Sequence, residues 1–363
     1  RQGIPVLTID ALPDVHEEEL DKVRMDAVVN FHVRMISGAM FAARHSRLEF
    51  VQIVSFGCGH DAILSDEIID VMEKISSKTP LILKLDESDV VGPLNVRIKS
   101  FTETVIARRK HDQNHFVREM PDPFPVMYDR KRDKNKILLL PNVTVSFCKL
   151  ASSVLRIIGF KAEPLPLIDE EGIKLAKKYT HNDLCYPAQI SIGEFLVAME
   201  KGGYDPDNVV FGMGKYLCDC RLVHYPILSR QALDAAGYSQ VPILTNMIDK
   251  KLHPGTSFGL RFEYLMLWGI AMFDILEGMV RRIRPYEKNP GETNKVFDAC
   301  LEDICNGFLK SRRAAVKAFS NAIDAFSAIE YDTSYRKPRV FVIGEYLLNF
   351  HPVSNNNIED YLE

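Results

Sequence analysis

Basic residues are not in excess: 45 lysines and arginines stand against 49 acidic residues, a net charge of −4 with a pI near 6.2. Such a chain lacks the positive surface that favours nucleic acid or an anionic membrane, and neither is expected as a partner. Apolar runs long enough to span a bilayer are missing too. The most apolar helical stretch, residues 262–280, carries Glu263, Asp274 and Glu277, which are costly in a bilayer. It reads as a buried or interface helix. No basic segment followed by an apolar one opens the sequence, so no secretory leader is expected, and a cytoplasmic protein with reduced thiols follows. The seven cysteines are odd in number and irregularly spaced, which fits free thiols or metal ligands better than a disulfide framework. No compact ferredoxin-type Cys-x2-Cys-x2-Cys run is present, so any cluster site has to be assembled from distant loops. The sequence opens at Arg1 and closes at Glu363 inside a helical pattern, and a piece of a longer polypeptide is expected.

What is present is ordinary globular material. Apolar residues make up 46% and charged residues 26% of 363 positions, enough for two hydrophobic cores. Residues 3–9 are a short β-branched run, residues 21–44 carry apolar side chains at helical spacing, and residues 50–55 form a second apolar run closed by a Gly57-Cys58-Gly59 turn. A helix over 65–75 capped by Ser65 or Asp66 and a strand over 81–85 follow. Residues 108–134 are rich in charge and proline and mark a linker between a partial module at 1–107 and a second module at 135–363. In the second module strands are predicted at 136–140, 161–167, 208–213, 241–245 and 339–343. They alternate with helices at 145–158, 170–179, 187–200 and 222–236, and a helical segment fills 256–329. Alternating elements of this kind predict an α/β protein of Rossmann-like parallel-sheet modules with flanking helices and a long helical insertion.

Three cysteines fall where an open parallel sheet places its ligands, at turns beyond strand ends and at helix starts. Cys58 follows a strand, Cys185 precedes a helix opened by Pro187, and Cys220 lies before the 222–236 helix. A helix N-terminus favours thiolate and an anionic cluster alike. Spacing by itself is compatible with buried structural thiols, and Cys148, Cys300 and Cys305 are read that way because they lie on apolar helical stretches. Cys218, Asp86, Glu87, Arg221 and His60 are candidates for contacts around a cluster or substrate, and Arg34 for an anion contact. His111 and His115 are four residues apart but lack the acidic partner of a zinc helix. Gly212-Met213-Gly214-Lys215 lacks Walker spacing and reads as a tight turn. Met266, Trp268, Met272 and Phe273 form an apolar belt suited to helix packing or a subunit contact, which leaves a homodimer open.

Several short motifs resemble, in order along the chain, those of the 2-hydroxyacyl-CoA dehydratase-like proteins found with BadF/BadG-type ATPase activases. Phe56-Gly57-Cys58-Gly59-His60-Asp61 resembles a Phe-Gly-Cys-Gly-x-Asp turn, and Leu85-Asp86-Glu87-Ser88 a Leu-Asp-Glu-His/Ser motif. Cys185-Tyr186-Pro187 and Cys220-Arg221-Leu222-Val223-His224-Tyr225 are similar to the family's Cys-Tyr/Leu-Pro and Cys-Arg-Phe-Gly-x-Tyr segments. Residues 338–345 resemble its late strand. The chain departs at Leu222-Val223, where the pattern has Phe-Gly, and in the extra thiol of Cys218. The resemblance implies a [4Fe–4S] or double-cubane iron–sulfur cluster with Cys58, Cys185 and Cys220 as iron ligands. It also implies an ATP-hydrolysing activase that injects a low-potential electron, an acyl-CoA substrate and radical elimination of water. Against this stand a module that keeps the fold and docks an ATPase domain without a cluster, and a zinc-stabilised fold.

Overall fold

The computed structural model describes residues 3–26, 29–55, 59–85, 91–111, 116–181, 184–215, 220–253 and 258–363. They form two compact units, one made of residues 1–125, 181–184 and 216–227 and the other of 126–180, 185–215 and 228–363. The first boundary falls inside the proline-rich stretch, while α3 (Val91–His111) carries helix four residues into it.

In the first unit α1 (Asn30–Arg44), β1 (Val51–Ser55), α2 (His60–Ile75) and β2 (Leu81–Leu85) follow in order before α3. The two strands pair in parallel, Val51 opposite Leu81 through Ser55 opposite Leu85, and α2 supplies the crossover that parallel strands require. Ile36, Ala39, Met40 and Ala43 of α1 and Leu64, Ile68, Val71 and Met72 of α2 make the buried stripes. Helix α1 ends on a buried cation: Lys78 Nζ donates to the carbonyls of Ala42 at 2.8 Å, Leu48 at 2.7 Å and His45, at the negative end of the helix dipole.

Two predicted elements are different here. Residues 3–8 are not a strand; Ile9–Ala11 is a 3-10 turn, and Gly38 of α1 leaves the space into which Ile9 packs. The predicted Ser65/Asp66 cap lies inside α2, which starts at His60 after Gly59 (φ 75°). Ser65 Oγ instead donates back to the Asp61 carbonyl at 2.8 Å.

The second unit holds β3 (Ile137–Leu140), β4 (Lys161–Pro164), β5 (Val209–Met213) and β6 (Ile243–Thr245), all parallel, in the order β4-β3-β5-β6. The short α4 (Arg130–Asp133) leads into β3, α5 (Val145–Ile157) links β3 to β4, and α6 (Glu170–Tyr179) and α7 (Tyr186–Lys201) lead to β5. Helix α8 (Tyr225–Ala235) leads to β6. Every residue of β5 is buried, as expected of a strand covered on both faces. Gly212 in its middle is required by packing, since a Cβ there would stand 2.5 Å from Leu140 Cδ2. Thr144 caps α5 by accepting from the Phe147 amide, and Asp169 caps α6 through the Glu171 and Gly172 amides.

The helical insertion is α9 (Gly259–Ile283), α10 (Glu292–Lys310) and α11 (Arg312–Ser327). Met266, Met272, Phe273, Leu276, Leu301, Ile304, Phe308 and Phe326 form a core with Leu150 and Val154 of α5. The expected apolar belt is therefore helix packing, and Trp268 is covered by the Arg312 guanidinium 4.3 Å from its ring centre. Two short helices, α12 (Tyr346–Phe350) and α13 (Ile358–Leu362), close the chain. Residues 339–343 pair with no strand among the described residues and expose Val340, Phe341 and Ile343. No helix among the described residues is long and apolar enough to cross a membrane.

Two buried carboxylates tie this unit to pH. Burial works to raise the Asp249 carboxyl, but the hydrogen bond and charge of Lys215, 2.6 Å away, outweigh it and hold Asp249 below its ordinary 3.8. Asp133 is likewise raised by burial and lowered further by Arg132, the Asp129 amide and Lys136, ending below 3.8. A carboxylate whose folded pKa is depressed stabilises the fold above its unfolded pKa and loses that contribution as pH falls through the folded value. The urea midpoint followed by Trp268 fluorescence is expected to fall steeply as pH drops below about 4. Asp249→Asn is expected to flatten that fall.

Candidate functional site

Of the residues singled out by sequence, Cys58, Asp86, Glu87, Cys218 and His115 lie outside the described residues. Cys185 is the half-buried N-cap of α7, and its carbonyl accepts from the Ala188 and Gln189 amides at 3.1 and 3.2 Å. Cys220 is the exposed residue that opens the 3-10 turn Arg221–His224. Cys185 belongs to the second unit and Cys220 to the first. Neither unit by itself brings two of the three candidate thiols together among the described residues.

The other described cysteines are of a different kind. Cys148, Cys300 and Cys305 are buried, and burial pushes each thiol up, which keeps it protonated. Cys148 Sγ donates to the Leu140 and Pro141 carbonyls at 3.5 and 3.4 Å. These three are structural, as expected. A thiolate ligand set therefore has only Cys185 and Cys220 to draw on among the described residues.

The carboxyl edge of the four-stranded sheet is the place where such folds bind ligands, at the point where the strand order reverses. Here that point lies between β3 and β5, and it is filled by the protein's own polar groups. Glu194 of α7, wholly buried, accepts from the Asn142 amide at 2.6 Å and the Asn142 side chain at 3.1 Å. The same carboxylate lies 3.0 Å from His351 Nε2. Asn142 also donates to the Leu165 carbonyl at 2.7 Å, tying the ends of β3 and β4 together. Burial pushes the Glu194 carboxyl up, against the hydrogen bonds of His351 and Asn142 that pull it down. Along the same edge Lys215 is buried against Asp249, and its amide donates to Asn246 Oδ1, just beyond β6, at 2.8 Å. Lys215 is thus a structural cation, not a phosphate-loop lysine.

A cavity of about 300 Å³ lies among Ser146, Glu277, Arg281, Arg284, Asn349 and Glu359. Its two arginines are ion-paired with Glu277, Glu359, Asp360 and Glu363, so it presents a neutralised lining to an anion. Arg34 pairs with Asp10 on the surface.

No protein-family model, curated protein or solved structure matches the chain. The geometry therefore stands alone.

The first unit gathers a group that sequence reading did not assemble. His32 on α1, His60 at the start of α2 and His224 at the end of the 3-10 turn place their ligand atoms all within 4.8 Å of one another. His60 Nδ1 is 3.2 Å from His224 Nε2, and the His32 and His60 ring centres are 5.0 Å apart. His32 is 3% exposed and its Nδ1 meets no hydrogen-bond partner among the described residues. Burial lowers its pKa, the charge of His60 lowers it further, and Asp61 opposes both. The imidazole is thereby held neutral, the form that offers a lone pair to a metal. Only His60 had been singled out, as a possible contact. The available signal was positional: His60 and His224 stand two and four residues after Cys58 and Cys220.

Proposed function

We propose that this chain is the iron–sulfur-bearing region of a protein of the 2-hydroxyacyl-CoA dehydratase type, working with an ATP-hydrolysing activase in low-potential electron transfer on an acyl-CoA. The observation that carries the reading is the sorting of the cysteines. Three are buried and held as thiols, whereas Cys185 and Cys220, both within the resembling motifs, are half-buried and exposed at the starts of helical turns. The ordered motifs on a parallel α/β scaffold support it. A bound cluster would supply a one-electron donor.

The chain's own part would be to hold thiolates at Cys185 and Cys220. At the start of α7 Pro187 has no amide, and the Ala188 and Gln189 amides donate to the Cys185 carbonyl, so the backbone there is committed to the turn. A cluster would be held at a potential set by hydrogen bonding and burial.

Anaerobic reconstitution of the full chain with iron and sulfide tests this. The expected result is stoichiometric iron and acid-labile sulfide, with iron content cut at least about tenfold in Cys185→Ala and in Cys220→Ala. A wild-type chain that takes up no iron sinks the proposal, and activase binding that persists in that chain would identify a docking module instead.

A further inference from the structure

The histidine group of the first unit is not explained by the iron–sulfur reading, and its donors are of another class. Thiolates are soft ligands that suit clusters, whereas three imidazoles suit zinc, copper, iron(II) or nickel as single ions. We propose that His32, His60 and His224 hold one late first-row divalent cation, zinc in the first instance, with a fourth position open to water or a substrate oxygen.

The distances fit. Zinc–nitrogen bonds of about 2.0–2.1 Å in a tetrahedron set neighbouring nitrogens roughly 3.3 Å apart, and the His60 and His224 nitrogens already stand at 3.2 Å. The outer limit of the group, 4.8 Å, exceeds that edge by about 1.5 Å. Rotations about the histidine side-chain torsions close a gap of this size.

A hydrogen bond between two neutral imidazoles accounts for the His60–His224 pair alone. It leaves His32 without a role, although its buried Nδ1 meets no partner among the described residues and such a nitrogen is unfavourable. A cation uses all three rings. On binding, the hydrogen shared between His60 and His224 moves to the far nitrogen of its own ring, which leaves both facing nitrogens with a lone pair for the ion. His32 and His224 are buried, at 3% and 0% exposure, while His60 is partly open. Among the described residues, His60 is the least covered of the three. Three histidines and a free position are the pattern of zinc sites that activate water.

The test uses the full chain purified in air, stripped with a chelator and titrated with zinc chloride by calorimetry and with cobalt chloride by visible spectroscopy. The expected result is one cation per chain, with the intense visible bands of tetrahedral cobalt. Affinity is expected to drop about 100-fold in His60→Ala, whose partly open position keeps the fold intact by circular dichroism, and similarly in His224→Asn. Cys185→Ala and Cys220→Ala are expected to bind as the wild type does. Failure to take up a stoichiometric ion overturns the proposal. So does uptake that His60→Ala and His224→Asn leave unchanged, or uptake lost in the cysteine variants. Because the titration needs neither sulfide nor anaerobic conditions, its outcome is separable from that of the iron assay.

Discussion

Glu194→Ala is expected to lower the unfolding free energy by about 4 kcal/mol, the range found when one partner of a buried polar pair is removed. The carboxylate is fully buried and meets three donors, the Asn142 amide, the Asn142 side chain and His351. Removing it leaves the Asn142 amide and His351 Nε2 without this acceptor in a buried site, while the Asn142 side chain keeps its bond to the Leu165 carbonyl, and each stranded group carries its own desolvation cost. Alanine also opens a cavity beneath the carboxyl edge of β3. The only tryptophan, Trp268, lies on α9 in the same unit, so urea unfolding followed by its fluorescence reads this unit directly. A loss under about 1 kcal/mol would mean that the donors find other partners. His351→Ala leaves the Asn142 bonds in place and is expected to cost less than Glu194→Ala, which orders the two variants.

Lys78→Met is expected to cost about 3 kcal/mol in the first unit. Methionine keeps the length and apolar stem of the side chain while leaving the carbonyls of Ala42, His45 and Leu48 without their donor. The end of α1 then keeps the His45 ring on the Phe41 carbonyl but loses its cation. Far-UV circular dichroism during urea unfolding, with hydrogen exchange at the end of α1, measures the loss. The pH dependence has a definite sign. Burial pulls the ammonium down from 10.5 to about 8; the charge of Glu49 opposes this fall, and those of Arg108 and Arg109 add to it. Between about 8 and 10.5 the unfolded chain therefore binds more protons than the folded one, and stability contributed through this group rises with pH. That rise is expected to vanish in Lys78→Met. Its persistence would assign the alkaline titration to another group.

The second unit's sheet was legible because its strands are nearly continuous apolar runs. Ile137–Leu140 and Val209–Met213 admit only a strand covered on both faces, and the proline and glycine boundaries around them fix where each ends. The same apolar signal misled at both ends of the chain. Residues 3–9 and 339–343 have strand composition, yet Val6, Leu7, Phe341 and Ile343 are exposed, because propensity does not make a strand without a sheet edge to pair with. The start of α2 was misplaced because Ser65 has capping chemistry but spends it inside the helix on the Asp61 carbonyl. The cysteines could be sorted from the sequence, since apolar helical neighbours identify Cys148, Cys300 and Cys305 as buried. The histidine group could not, because His60 and His224 are separated by 164 positions and no local pattern measures such a distance.

The first unit takes its last piece, residues 216–227, from far beyond its main body, which ends at Pro125. A ribosome working at about 5–20 residues per second needs roughly 5–20 seconds to make the intervening stretch. Throughout that interval His32 and His60 exist without His224, and the emerging chain carries an unfinished core. Synthesis order thus makes the N-terminal unit one of the later parts to be completed, and a chaperone or a free metal ion has time to meet it before its third histidine arrives.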